Sequence, residues 1–167
     1  METKDFEKAL PQILFELGID ENGSINLNCP VVVKVPDGVD FKSLLMGVLE
    51  KSCINIININ CKIETPLTII AKMKQAGWCG IVSSSDIMQA ESAKKENVSS
   101  ILLIDHLSDI NNENDIASIA GILKDNKEND ICGTMNIPVI VTFSKDEGMD
   151  YFYRNTSIPI IDERYWK

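Results

Sequence analysis

From residue 31 onward, apolar runs of strand length alternate with stretches whose apolar positions recur at helical spacing. Val31-Val32-Val33-Lys34-Val35 is β-branched and bounded by Pro30 and by Pro36-Asp37-Gly38, which predicts a strand followed by a turn. Phe41, Leu44, Leu45, Val48 and Leu49 then fall at i, i+3, i+4, i+7 and i+8, the stripe of a one-sided helix. The same reading predicts strands over 54–60, 101–104, 139–143 and 158–161. It predicts helices over 66–76, over 86–96, around Ile116–Leu123 and around Met149–Arg154, with Gly77 and Gly80 dividing the first two. Ahead of this block, residues 4–17 predict a helix with Phe6, Leu10, Ile13, Leu14 and Leu17 on one side. Pro11 is expected to kink or divide it. Ile25–Cys29 alternates and predicts a short edge strand.

Strands that are nearly all apolar and alternate with helices indicate a parallel sheet covered on both faces. The expectation is an α/β chain of three layers around a five-stranded, mainly parallel sheet. Residues 1–167 form one domain in this reading: an N-terminal helix and short strand over 1–30, and the core over 31–162.

Composition narrows the chemistry. A net charge of −9, with no dense Lys/Arg run, disfavours direct binding of DNA or RNA, which needs cations against the phosphates. Five cysteines without a CxxC pair read as reduced thiols in a cytoplasmic protein, and a single histidine makes a zinc site of ordinary spacing a poor expectation. The charged N-terminus carries no signal-peptide core, and no apolar run approaches the roughly 18 residues of a membrane span.

In an open parallel sheet, ligands bind beyond the carboxyl ends of the strands. After the first strand the chain reads Pro36-Asp37-Gly38-Val39-Asp40-Phe41-Lys42-Ser43, with the length and ending of the P-loop pattern G-x-x-x-x-G-K-[ST]. Pro36 and Phe41 stand where the two glycines belong. Ile101-Leu102-Leu103-Ile104-Asp105-His106 has the shape of a Walker B strand, Thr142 lies near the end of the fourth strand, and Arg154 precedes the fifth.

On the order of these landmarks, residues 30–162 resemble the α/β core of the AAA+ ATPases. The resemblance implies the strand order 5-1-4-3-2 and ATP with magnesium as ligands. Gly38, Lys42, Ser43 and Thr142 would then meet the nucleotide, Ser43 and Asp105 the magnesium, and His106 and Arg154 would be the candidates for catalytic roles. Three departures point away from turnover. Phe41 replaces the glycine that lets the backbone close on phosphate, and His106 replaces the acid that orients the attacking water. The helical lid that follows the fifth strand in that family has no counterpart before Lys167.

The expectation is therefore a degenerate module with weak or no ATP binding, monomeric or dimeric alone, that acts mainly by binding another protein. Its contact surface would be the Tyr151–Trp166 segment, which is rich in Tyr, Trp and Arg. The alternatives are an active loader or remodeller ATPase and a receiver-like signalling domain with Asp105 as phosphoacceptor, for which the order 2-1-3-4-5 is expected. Asp40 also reads as a plain helix cap, and Asp109, Glu113 and Asp115 as a solvated acidic loop.

Overall fold

The computed structural model describes residues 2–20, 30–50, 52–81, 83–97, 99–129, 136–154 and 158–166. Helix α1 spans Glu2–Glu16 and is followed by strand β1 (Val31–Lys34), helix α2 (Phe41–Leu49) and strand β2 (Asn55–Asn60). Helices α3 (Pro66–Gln75) and α4 (Ser84–Glu96) lead to β3 (Ser100–Asp105), and α5 (Glu113–Glu128) leads to β4 (Val139–Phe143). A short α6 (Asp150–Arg154) precedes β5 (Ile160–Ile161).

All strand pairs are parallel, and the sheet is ordered β2-β3-β4-β1-β5. Read from the β5 edge, this is 5-1-4-3-2; it is not the 2-1-3-4-5 that the receiver-like alternative requires. The chain steps from β1 to the far edge and then returns strand by strand. Because parallel crossovers are right-handed, this reversal sends α2 over one face and α3, α4 and α5 over the other. The two cores follow that division. Val31 and Val33, Ile101 and Leu103, and Ile140 pack under Phe6, Ile13, Leu17, Phe41 and Leu45. Val32, Leu102, Ile104, Val139, Val141 and Phe143 face Ile69, Met73, Trp78, Ile119 and Leu123.

Pro11 does not divide α1, which runs through it as one helix. The proline is solvent-exposed, so the carbonyl it leaves without an intrahelical partner can be met by water, and a buried face on Phe6, Ile13, Leu14 and Leu17 holds the helix on both sides of it. The expected strand at 25–29 lies outside the described residues. Among the described residues no helix is long and apolar enough to cross a membrane.

A buried amide pair lies on the α3–α5 face. Asn126 is fully buried and Asn136 almost so. The Asn126 carbonyl accepts the Gly80 N–H at 3.0 Å, and its amide donates to the Asn136 carbonyl at 3.1 Å. Asn136 in turn donates to the Gly77 carbonyl at 2.6 Å. The pair thus supplies the partners that the 77–80 turn lacks, a turn in which both glycines have positive φ. A Cβ at Gly77 would also stand 3.1 Å from the Ala93 methyl.

The C-terminal aromatics divide. Trp166 packs edge-on against Phe6, with ring centroids 5.1 Å apart, and Phe152 is buried; Tyr153 and Tyr165 remain exposed. Trp166 therefore serves as a seal on α1.

Candidate functional site

A cleft of about 590 Å³ opens beyond the carboxyl ends of the strands, on the α2 side of the sheet. Gly38, Lys42, Asp105, His106 and Thr142 all line it, joined by Asp37, Asp40 and Asp109, by Asn58 and Asn60 of β2, and by Lys62 and Lys145. Ser43 and Arg154 do not. Ser43 points at Asp40, and Arg154 stands exposed at the end of α6.

The β1–α2 loop closes on itself rather than opening a phosphate cradle. Val39 N–H donates to the Pro36 carbonyl at 3.2 Å across a tight turn whose third residue, Gly38, has φ +87°. Asp40 then caps α2. Its Oδ1 accepts the Ser43 N–H at 3.1 Å and its Oδ2 accepts the Ser43 hydroxyl at 2.7 Å. The hydroxyl bond, and then the N–H bond, hold the Asp40 carboxyl below its ordinary range. A helix N-terminus attracts anions through its unpaired N–H groups and the positive end of its dipole. Here the chain's own carboxylate takes that place. Phe41, next along, turns away from the cleft into the core and meets Phe6 edge-on at 6.5 Å.

On the facing side, Asp105 ends β3 and is buried. The Thr142 hydroxyl donates to Asp105 Oδ1. Thr142 Oγ1 accepts the His106 N–H at 3.0 Å, and His106 Nε2 stands 3.3 Å from Asp105 Oδ2. His106 is the one described non-glycine residue with positive φ, at +62°, a conformation that costs a residue with a Cβ roughly 1 kcal/mol or more. It coincides with the turn into Leu107–Asp109, where the His106 carbonyl accepts the Asp109 N–H at 3.0 Å. Asp105, Thr142 and His106 therefore form a closed set that satisfies itself. Beneath it, burial and then the Asp105 carboxylate push the Cys61 thiol up to about 12, so it stays protonated and is no nucleophile at neutral pH.

These residues do not fit magnesium and a triphosphate in the manner the resemblance implies. Both Asp105 oxygens face partners from the chain, and the Ser43 hydroxyl is committed to Asp40. Among the described residues no three His, Cys, Asp or Glu side chains gather as a metal site. Around the cleft, Asp37, Asp40, Asp105 and Asp109 outnumber Lys42, Lys62 and Lys145, so a polyphosphate would meet carboxylates where it needs cations.

Asn58 and Asn60 carry no part in the resemblance. They stand two apart on β2, which puts both on the cleft face, and that spacing is the signal by which they could have been found. The Asn58 carbonyl oxygen is buried without a partner.

No protein-family model and no curated protein matches this chain. The site is therefore read from its own geometry.

Proposed function

We propose that this chain is a degenerate P-loop NTPase-like core, of the AAA+ kind, that acts by binding another protein and neither holds nor hydrolyses ATP to any useful extent. The observation that carries this reading is Asp40. Its carboxylate occupies the N-terminus of α2, with both oxygens hydrogen-bonded to Ser43, in the place where a P-loop presents N–H groups to phosphate. The strand order 5-1-4-3-2 supports the kinship, and so does the convergence of Gly38, Lys42, Asp105, His106 and Thr142 on one cleft.

The same geometry supports the loss of chemistry. A water attacking a γ-phosphate needs a positioned carboxylate beside it. At that position His106 is folded back toward Asp105, and Thr142 gives its hydroxyl to Asp105. A loader or remodeller ATPase would need those groups free.

The test is ATP turnover measured beside a Lys42→Ala, Asp105→Asn double variant. The expected result is no difference between the two, no gain on His106→Glu, and a monomer or dimer by light scattering with or without nucleotide. Turnover that the double variant abolishes, or a nucleotide-dependent ring, overturns the reading.

A further inference from the structure

Helices α1 and α2 run side by side. Phe6 near the start of α1 meets Phe41 at the start of α2, and their C-terminal halves flank a groove of about 830 Å³. By topology this groove lies at the end of the sheet opposite the cleft, since α2 leaves the cleft at Asp40 and ends short of β2. Leu10, Leu14 and Val48 form part of its lining, and Phe15 stands on its edge 69% exposed. Met46, 51% exposed, adjoins it in the chain.

Two residues in the lining disfavour the helices that carry them. Pro11 sits inside α1 and Gly47 inside α2. Neither is needed by the packing around it. Pro11 is exposed, and a Cβ at Gly47 would find nothing within 4 Å. A mid-helix glycine destabilises relative to alanine, and its benefit is close approach of another backbone. No described part of the chain makes that approach.

The charges say what would. Glu16 and Glu50 stand exposed at the ends of the two helices, and Glu50 and Asp20 line the groove. Neither helix has a basic residue in its last turn, so the negative ends of both dipoles point the same way as these acids; Lys51, the next residue after Glu50, lies outside the described ones. On these helices the described cations Lys4, Lys8 and Lys42 sit in the opening turns.

We propose that this groove receives a basic amphipathic helix of a partner protein. Its apolar face would lie on Leu10, Phe15 and Val48, its backbone would pass close over Gly47, and its Lys or Arg residues would meet Glu16 and Glu50. A second copy of this chain fits poorly, because it would bring the same acids against these. The inference rests on the partner-binding reading for its biological setting. Its site is remote from the cleft, however, so nucleotide binding and groove binding fail separately.

The probe is a synthetic helical peptide of about 18 residues with Leu on one face and Lys on the other, titrated against the full chain by fluorescence anisotropy at two salt concentrations; the control peptide carries Glu for Lys. Saturable one-to-one binding of the Lys peptide alone is expected. Phe15→Ser should weaken it about tenfold or more, and so should the pair Glu16→Lys with Glu50→Lys. The matched reversal Glu91→Lys with Glu96→Lys on α4 should change it less than about threefold. Gly47→Gln should weaken binding while raising Tm by about 2–4 °C, a pairing that a purely structural role for Gly47 cannot produce. The proposal is overturned by absence of binding, by equal loss on reversal at α4, or by indifference to Phe15→Ser and Gly47→Gln. Self-association abolished by Phe15→Ser would also overturn it, because the occupant would then be a second copy.

Discussion

Replacing Thr142 by valine keeps the shape of a buried strand residue and removes only its hydroxyl. That hydroxyl donates to Asp105 Oδ1 and accepts the His106 N–H at 3.0 Å. Thr142 and Asp105 are 2% and 5% exposed, so water cannot readily replace either bond. A hydrogen bond to a charged group contributes about 1.5–3 kcal/mol, and a backbone N–H left without its partner costs about 1–3 kcal/mol. The two losses share one atom and His106 Nε2 stays near Asp105, so the sum is discounted to about 2–4 kcal/mol. For a chain of this size that corresponds to a fall in Tm of roughly 5–15 °C. Urea unfolding followed by circular dichroism gives the free energy, with Thr142→Ser as the companion that keeps the hydroxyl and should lose only about 1 kcal/mol. If the valine variant matches the wild type within about 0.5 kcal/mol, the hydroxyl is not committed to Asp105, and Thr142 regains its standing as a group held ready for a ligand.

Asn126→Ala strands the Gly80 N–H and the Asn136 carbonyl in the core, and should cost about 2–5 kcal/mol in the same unfolding assay. Asn136→Ala added to it should cost less than the sum of the single changes, because the two share partners. Asp40→Ala should cost about 1 kcal/mol at pH 7 through loss of the α2 cap. Because the folded carboxyl is held below its ordinary value of 3.8, the cap's contribution is present above that pH. The gap between wild type and Asp40→Ala in unfolding curves taken from pH 7 to pH 2 should therefore close as pH falls below 3.8 and through the lowered folded value; a gap unchanged at pH 2 would contradict this.

The strands were legible because each is a short β-branched or aliphatic run bounded by turn residues, and the order of helices between them implied the parallel sheet. Boundaries moved by a residue or two, and the shift at β3 matters, since it makes Asp105 the last residue of the strand instead of the first beyond it. Five residues chosen for their places after strands converge in space because parallel strands all point their carboxyl ends the same way. Ser43 and Arg154 did not join them. A serine three residues after an aspartate cap is drawn to that cap, which is a local preference the sequence displays and a motif match overlooks. Asn126 was hidden because it occupies a core position on an otherwise amphipathic helix, its partners Gly77 and Gly80 are remote in the chain, and Asn136 lies beyond the end of that helix. That Pro11 leaves α1 undivided was not legible, because the general cost of a helical proline says nothing of the tertiary face that offsets it.

Isothermal titration of Mg-ATP into the wild-type chain tests the central claim most directly. An intact phosphate loop supplies several charge-assisted hydrogen bonds of about 1.5–3 kcal/mol each, and every 1.4 kcal/mol lost weakens binding about tenfold. With the α2 N-terminus taken by Asp40 and Asp105 tied to Thr142, the account predicts no measurable heat, or a Kd weaker than about 100 µM. A low-micromolar Kd that requires magnesium would contradict it, and would mean that the loop from Pro36 to Ser43 reopens around phosphate.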